Sequence, residues 1–321
     1  MNSRQPGQSA SAIEHNVNGG CHFARYSLFM NPSHLVRRPL RFALMALASL
    51  LLALGGCATL DERQRAWIFQ PSDRSWGGGA AAAEGMSDVW IEFTPREAEA
   101  GAAPVRLHGL WLAQARPDAP VLLYLHGARW DVRSSAFRMR RMHELGFSVL
   151  GIDYRGFGQS SPALPSEDLA QEDALAAWLW LAAQHPGAKR YVFGHSLGGA
   201  IAVRLAGDVK DAAGLIVEGS FTSIPEVVKT MKWGWLPVAP LITQRFDAGT
   251  QIARVKTPLL VVHGSEDRLI APELGRALYE RARATKKFVL VEGGTHHNTN
   301  AVGHQAYREA VAELFGIRES Q

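Results

Sequence analysis

A serine with glycines two residues before it and two residues after it lies past the middle of the chain, in Gly194-His195-Ser196-Leu197-Gly198. A serine hydroxyl is a weak nucleophile, so the chain must present it to a base on a sharp, strained turn. Glycines at those two positions let the backbones before and after the turn approach closely. The spacing G-x-S-x-G therefore identifies Ser196 as a candidate nucleophile.

The residues on either side of this turn supply the context that the chemistry needs. Tyr191-Val192-Phe193 predicts a short buried strand, and Gly199 to Ala206 is typical of an alanine-rich helix. The free N–H groups and the dipole of that helix would face the place where an oxyanion forms. An ordinary glycine-rich turn with an incidental serine is the alternative, and a strand before with a helix after favours the nucleophile.

Two further strand ends carry an acid and a base. Asp267 lies three residues after Gly264, behind the predicted strand Leu259–His263, and His296 follows the predicted strand Phe288–Glu292. The chain order is serine, acid, histidine, as expected when the serine lies on such a turn. His296 would take the proton from the serine and return it to the leaving group, while Asp267 would orient the imidazole and stabilise its cation.

The sequence leaves two of these roles open. Gly-x-x-His spacing from Gly293 favours His296 as the base, whereas the following Asn298 favours His297. Glu218, at the end of the preceding predicted strand, is the alternative acid. The other histidines beside glycines at strand ends are expected to make structural hydrogen bonds: His126, His195 and His263.

A tetrahedral oxyanion also needs hydrogen-bond donors. The backbone N–H of Leu197, directly after the serine, would supply one. The loop after the third predicted strand, His126-Gly127-Ala128-Arg129, would supply the other, with the N–H of Ala128 as the best candidate. There is no Cys/His cluster or HExxH pattern, and the one G-x-G-x-x-G-like spacing lacks a following acidic strand end, so we expect no metal and no cofactor.

The elements that must position these residues alternate between strand and helix from Val89 onward. Eight strands are predicted: Val89–Phe93, Val105–Leu112, Val121–Leu125, Ser148–Asp153, Tyr191–Phe193, Leu215–Glu218, Leu259–His263 and Phe288–Glu292. Further helices are predicted over Ser134–Leu145, Glu167–Gln184, Pro272–Arg283 and Ala301–Phe315. This pattern predicts an α/β fold, a mostly parallel doubly wound sheet whose reactive loops lie at the carboxyl ends of its strands.

Five segments resemble, in order, the motifs of the serine α/β-hydrolase superfamily: HGAR, DYRGFGQSSP, GHSLGG, HGSEDRLI and GGTHHN. Phe221-Thr-Ser-Ile and Arg245-Phe-Asp resemble its compact branch, which includes lysophospholipase-like and aminopeptidase-like hydrolases and eukaryotic protein depalmitoylases. The resemblance implies an α/β-hydrolase domain over residues 88–317, with an eight-stranded sheet and helices on both faces. Many relatives carry Asn where Ala128 stands, so only a backbone donor is expected there.

A short lid over about residues 220–250 replaces a cap domain, since about thirty residues cannot build an independent one. Its apolar residues, Trp233 and Trp235 among them, would line an acyl-chain pocket or pack onto the sheet. We therefore expect hydrolysis of a small acyl ester or thioester through an acyl-enzyme. An amidase or aminopeptidase of the same fold and a non-catalytic lipid-anchored binding protein are the alternatives.

The segment 1–56 is typical of an N-terminal extension followed by a secretion signal. Three arginines within His34–Arg41 precede an apolar run, Phe42–Leu54, and small residues lead to Cys57. L-G-G-C resembles the lipobox of bacterial lipoproteins, in which the cysteine is acylated and becomes the mature N-terminus; an uncleaved membrane anchor is the alternative. Residues 57–87 would be a tether leading into the fold. Counting from Met30 rather than Met1 gives a signal of ordinary length, so we expect translation to start there.

Location and partners follow from the same segment. Ala58, rather than aspartate, follows the cysteine, which in a Gram-negative host predicts an exported protein on the periplasmic side of the outer membrane. Of the 34 basic and 30 acidic residues, five arginines and one glutamate precede Cys57, which leaves 29 of each in the body. A formally neutral body predicts no nucleic-acid partner.

Overall fold

A computed structural model describes residues 59–98, 101–232 and 234–317. The predicted signal segment, the predicted lipidation site Cys57 and Trp233 of the lid lie outside the described residues. None of the helices in these ranges combines the length and the hydrophobicity that a membrane span requires.

An eight-stranded sheet forms the centre of the molecule, as predicted. Its strands are β1 (Ser87–Phe93), β2 (Val105–Leu112), β3 (Val121–Leu125), β4 (Ser148–Ile152), β5 (Arg190–His195), β6 (Ala212–Glu218), β7 (Leu259–Gly264) and β8 (Lys286–Val291). Their order is β1-β2-β4-β3-β5-β6-β7-β8. β2 pairs antiparallel with β1 and with β4, and the other neighbours are parallel.

The apolar content of each strand matches its place in the sheet. Every residue of β3 and β4 is buried, because helices cover both faces of the sheet's interior. The edge strand β8 begins with Lys286 and Lys287 and leaves Leu290 exposed. Charged side chains on an edge strand discourage pairing with another chain.

The helices are α1 (59–69), α2 (Gly79–Ala82), α3 (Ala136–Glu144), α4 (Glu167–Gln184), α5 (Leu197–Asp208), α6 (Ile224–Thr230), α7 (Ala248–Gln251), α8 (Pro272–Arg281), α9 (Thr299–Val302) and α10 (His304–Phe315). One apolar core holds buried residues of α4, α5 and α8, and a second holds those of α3 and α10. The helices thus cover both faces of the sheet, as the sequence predicted.

Part of the segment expected to be a tether is helical. α1 places Ile68 and Phe69 in a core, and the side-chain amide of Gln64 donates to the backbone oxygen of Leu241 at 2.7 Å. The lid is short: between α6 and α7 the described residues form only one turn of 3₁₀ helix, Ala239–Leu241.

Candidate active site

The candidate nucleophile lies on a strained turn between β5 and α5. Ser196 has φ 56° and ψ −121°, a left-handed value of φ that non-glycine residues seldom adopt. Two hydrogen bonds stabilise this conformation: the backbone N–H of Ser196 donates to Glu218 O at 2.9 Å, and the hydroxyl of Ser220 donates to Ser196 O at 2.8 Å. The side chain of Ser196 is partly exposed, so a substrate can reach it.

The glycines of the turn are required by close backbone contacts. A Cβ at Gly194 would lie 2.2 Å from Gly198 O, and one at Gly198 would lie 2.2 Å from Leu125 O. Both distances are far below van der Waals contact, so the strand and the helix could not come together around any other residue. These close contacts explain why glycine is required two residues before and two residues after the serine.

The three predicted catalytic side chains lie together at the carboxyl ends of β5, β7 and β8. His296 Nε2 lies 3.0 Å from Ser196 Oγ, and His296 Nδ1 lies 2.7 Å from Asp267 Oδ2. A carboxylate only accepts hydrogen bonds, so Nδ1 carries the proton and Nε2 is left to accept the serine hydroxyl. The arrangement can deprotonate Ser196 as it attacks a carbonyl carbon.

Asp267 is held in the ionised form. Burial alone would raise the pKa of this carboxyl, but hydrogen bonds with His263 and His296 and the positive charge of a protonated His296 lower the pKa well below its usual range. Its second oxygen accepts the backbone N–H groups of Leu269 and Ile270 at 3.0 and 2.9 Å. A fixed, ionised partner keeps the imidazole in one tautomer and one orientation.

The geometry distinguishes between the alternatives that the sequence left open. The ring of His297 is exposed and packs against Trp76, with ring centroids 5.5 Å apart. The carboxylate of Glu218 binds Arg138 Nε at 2.7 Å and the hydroxyl of Tyr307, not the imidazole of His296. Asn298, which had favoured His297, instead caps its own turn by accepting from Thr295 N at 2.7 Å.

The two candidate oxyanion donors lie on either side of the nucleophile. Leu197 is the first residue of α5, so its N–H has no acceptor within the helix. The loop that holds Ala128 lies against the serine, because a Cβ at Gly127 would be 3.0 Å from Ser196 Cβ. The next residue, Arg129, has φ 67° and donates its N–H to Phe69 O at 2.8 Å, which fixes the direction of this loop.

The histidines expected to be structural make the predicted kind of hydrogen bond. His126 Nδ1 lies 2.7 Å from Gly127 O, and His263 Nε2 lies 2.9 Å from Ile270 O. His195 Nε2 lies 3.0 Å from His296 O and so supports the loop of the candidate base. Burial lowers the pKa of both His126 and His195, which keeps these two rings neutral.

Sequence reasoning missed a buried ionic cluster behind the same loop. Arg138 Nη2 on α3 donates to His296 O and to His297 O, each at 3.0 Å, while its Nε binds Glu218. The hydroxyl of Tyr307, on α10, binds the other oxygen of Glu218. Nothing in the local sequence distinguishes Arg138, since arginines also occupy the second and third positions after it.

Other cavities and clusters of the described chain lie away from these residues. A cavity of about 880 Å³ is lined by Pro120 and Lys189, at the amino ends of β3 and β5. A second, of about 580 Å³, lies beside Arg155 and α4. No group of three or more His, Cys, Asp or Glu among the described residues could hold a metal ion.

Comparison with known proteins places this geometry in context. The profile of a family described as serine aminopeptidase, S33, matches residues 116–248 and 241–300. An uncharacterized protein of Mycobacterium tuberculosis strain H37Rv is 31% identical over 264 residues, which cover 81% of this chain and 90% of that protein. The lysophosphatidylserine lipase ABHD12 of Danio rerio is 30% identical over 56% of this chain, and the match spans about half of that lipase (54%).

Solved structures confirm the α/β-hydrolase fold. The esterase Pf2001 of Pyrococcus furiosus has a TM-score of 0.59 at 21% identity, with 76% of this chain and 96% of that chain covered. Est1E of Butyrivibrio proteoclasticus, solved with ferulic acid bound, has a TM-score of 0.57 at 19% identity, with coverage of 66% and 96%. At these identities the likeness concerns the fold alone.

Proposed function

Because the chain belongs to the serine aminopeptidase (S33) family of α/β-hydrolases, we propose that it hydrolyses carboxylic ester or thioester bonds through an acyl-enzyme on Ser196. One observation carries the proposal: His296 lies 3.0 Å from the Ser196 hydroxyl on one side and 2.7 Å from Asp267 on the other. These are hydrogen-bond distances for a nucleophile, its base and the carboxylate that orients the base.

The first half of the reaction forms the acyl-enzyme. Ser196 Oγ attacks the carbonyl carbon as its proton passes to His296 Nε2, and Asp267 stabilises the imidazolium. The N–H groups of Leu197 and Ala128 bind the oxyanion. When the tetrahedral intermediate collapses, the bond to the leaving alcohol or thiol breaks, and His296 gives that group its proton.

The second half restores the enzyme. A water molecule takes the place of the leaving group, His296 accepts its proton, and the hydroxide attacks the acyl carbon. Collapse of the second tetrahedral intermediate releases the carboxylic acid and returns the proton to Ser196.

The lid favours an acyl chain over the ammonium group that an aminopeptidase must bind. Its segment 231–242 contains one charged residue, Lys232, and no carboxylate. An ammonium group needs an acidic or polar pocket, whereas an acyl chain needs an apolar surface. The name of the lysophosphatidylserine lipase among the similar proteins agrees with this preference.

Labelling with a fluorophosphonate tests the catalytic proposal. The wild-type chain should form one covalent adduct, on the peptide that contains Ser196, and Ser196→Ala should form none. Ser72→Ala is the matched control, since Ser72 caps a turn at Arg74 N and should leave labelling unchanged. An unlabelled wild type would favour the non-catalytic binding protein. Hydrolysis of p-nitrophenyl esters from acetate to palmitate would then define the length of acyl chain accepted.

We further propose that Cys57 is acylated after export and that the mature protein is attached to the bacterial envelope, on the periplasmic side of the outer membrane. The support is the order of arginines, apolar run and L-G-G-C in the sequence. Mass spectrometry of the membrane fraction should find an N-terminal peptide that begins with a diacylglyceryl-modified Cys57. In Cys57→Ser the modification and the cleavage should both be absent. A mature N-terminus without the modification would contradict the proposal.

A further inference from the structure

Among the described residues of α1 and of the lid segment 231–242, six large apolar side chains are exposed. Together they form a surface that we call the flap surface: Leu60 (37% exposed), Trp67 (56%), Met231 (43%), Trp235 (74%), Leu236 (40%) and Leu241 (58%). Exposed tryptophans and leucines that cluster in this way mark an interaction site rather than ordinary surface.

Hydrogen bonds join the two parts of the flap surface. Gln64 on α1 donates to Leu241 O at 2.7 Å and accepts from Thr243 N at 2.9 Å. Leu60, Gln64 and Trp67 are four and three residues apart, so they lie along one side of the helix. The apolar side chains of α1 therefore flank the contact with the lid, and the two parts form one surface.

The flap surface borders the candidate active site. At the end of α1, Phe69 O accepts the N–H of Arg129, the residue after Ala128 in the oxyanion loop. The ring of Phe69 packs against Phe246 at the end of the lid, with centroids 5.6 Å apart. A molecule that covers the flap surface would therefore lie beside the opening to Ser196.

The charge of the flap surface and the position of α1 in the chain indicate what kind of molecule covers the flap surface. The lid part, residues 227–246, includes Lys229, Lys232 and Arg245 and no aspartate or glutamate. The α1 part carries two acidic and two basic residues, so the two parts together have a positive formal charge, which favours an anionic surface. The apolar run Phe42–Leu54 ends five residues before the first described residue of α1. Whether that run is cleaved at Cys57 or retained, the chain enters α1 from a segment with affinity for lipid.

We infer that the flap surface rests in the headgroup region of an anionic phospholipid bilayer. Tryptophan is the side chain that prefers this region, because its ring is apolar and its N–H is polar. Basic residues in the lid add attraction to the lipid phosphates, and a second contact beside one lipid chain converts weak attachment into stable attachment. The inference goes beyond the proposed function, since it requires no catalysis.

Quenching of tryptophan fluorescence by brominated lipids tests the inference. The full chain is reconstituted with vesicles of phosphatidylglycerol whose acyl chains carry bromine. We expect its emission to be quenched, and we expect the double variant Trp67→Phe/Trp235→Phe to lose most of the quenched component. Equal quenching of the wild type and the double variant would overturn the inference and leave the surface to a protein partner.

A matched pair of leucines controls for general effects of the substitution. Leu241 and Leu179 are 58% and 59% exposed, and Leu179 lies on α4, away from the lid. Leu241→Asp should lower the quenching while Leu179→Asp leaves it unchanged, and both variants should keep the far-ultraviolet circular dichroism of the wild type. An equal loss of quenching in both variants would contradict the proposed site.

Two further experiments test whether the lipid charge is recognised and whether binding to the bilayer is independent of catalysis. Vesicles of phosphatidylcholine should quench less than vesicles of phosphatidylglycerol, and equal quenching would show that the anionic charge is not recognised. Ser196→Ala should retain full quenching even if it loses hydrolysis. A wild type that is quenched by the bilayer and hydrolyses nothing would support this inference and contradict the proposed function.

Discussion

His296–Asp267 and His108–Asp153 are both buried histidine–aspartate pairs, and they differ in the third partner. At the candidate active site, His296 holds Asp267 through Nδ1 and the Ser196 hydroxyl through Nε2. Near the opposite edge of the sheet, His108 of β2 bonds Asp153 through Nδ1 at 3.0 Å, but its Nε2 lies 2.7 Å from Asp88 Oδ1. Both rings are buried. One histidine thus has a hydroxyl and a carboxylate as partners, and the other has two carboxylates.

The difference decides what each ring can do. Two carboxylates require a proton on both ring nitrogens, so His108 is held as an imidazolium that joins β1, β2 and the end of β4. Burial alone would lower the pKa of His108, but the hydrogen bonds to Asp153 and Asp88 raise it above its ordinary value. His296 keeps one nitrogen free to accept a proton, because its third partner is a hydroxyl. The histidine of a buried His–Asp pair is therefore either a structural cation or a base, and the group that faces its Nε2 decides which.

Removal of the hydroxyl is expected to have the largest effect. Ser196→Ala should lower turnover of a p-nitrophenyl ester by about 10⁶-fold, because the nucleophile is lost while the fold is kept. Initial rates and the thermal midpoint measure the two quantities. A residual rate within tenfold of the wild type would show that another group attacks the substrate.

The neighbouring histidine offers a control for the identity of the base. His296→Ala should cost about as much as loss of the serine, since the two act as a unit. His297→Ala should keep most of the turnover, because the ring of His297 packs on Trp76 and bonds neither Ser196 nor Asp267 in the described part of the chain. The reverse result would make His297 the base.

Loss of the carboxylate charge at the active site should have the next largest effect. Asp267→Asn can present an amide N–H to Nδ1, which stabilises the tautomer with its proton on Nε2 and removes the acceptor for the serine proton. We expect kcat to fall by about 10⁴-fold with little change of fold. Stopped assays at high enzyme concentration measure the residual rate, and a fall of less than tenfold would contradict the role given to Asp267.

These residues were visible in the sequence because each follows a short apolar strand and sits beside glycines. β3 and β2 were predicted with their observed bounds, since continuous or alternating apolar runs with turns on both sides specify them. α1 was missed because residues 59–69 mix charged and aromatic side chains and bury only Ile68 and Phe69. Arg138 and His108 could not be found, since their roles depend on partners 80 and 45 residues away.

Substitution of Arg138 tests whether its hydrogen bonds to the backbone oxygens of His296 and His297 are needed to position the base. His108, by comparison, is positioned by a carboxylate at each ring nitrogen. Arg138→Gln should lower kcat by about 10²-fold with KM little changed, because small displacements of a reacting group are costly. The variant also leaves Glu218 buried without its charge partner, which should cost about 3–5 kcal/mol of unfolding free energy.

Two variants separate positioning from simple loss of stability. Arg138→Gln/Glu218→Gln removes both charges and should recover stability without recovering kcat. Arg141→Gln, on the same helix, removes an exposed arginine that pairs with Glu144 at 3.3 Å and should leave both quantities unchanged. Recovery of kcat in the double variant would mean that Arg138 acts on stability alone.

The smallest effect concerns the histidine with two carboxylates, and it should appear in stability rather than in turnover. The pKa of His108 is raised on folding, so the protonated ring stabilises the fold fully below its unfolded pKa of about 6.5. That contribution is lost as pH rises through the folded pKa. The groups that set it are Asp88 and Asp153, which raise the pKa, and Arg133, which lowers it.

Urea denaturation of the wild type and of His108→Gln between pH 5.5 and 9 measures this contribution. The difference in unfolding free energy should be largest at the acidic end and should shrink by about 1.4 kcal/mol for each unit of the pKa shift as pH rises. Turnover of a soluble ester at saturating substrate should be the same for both chains, because no proton moves through His108 in the reaction. A difference that grows with pH would mean that His108 is neutral in the fold, and the contrast between the two pairs would then rest on position rather than on charge.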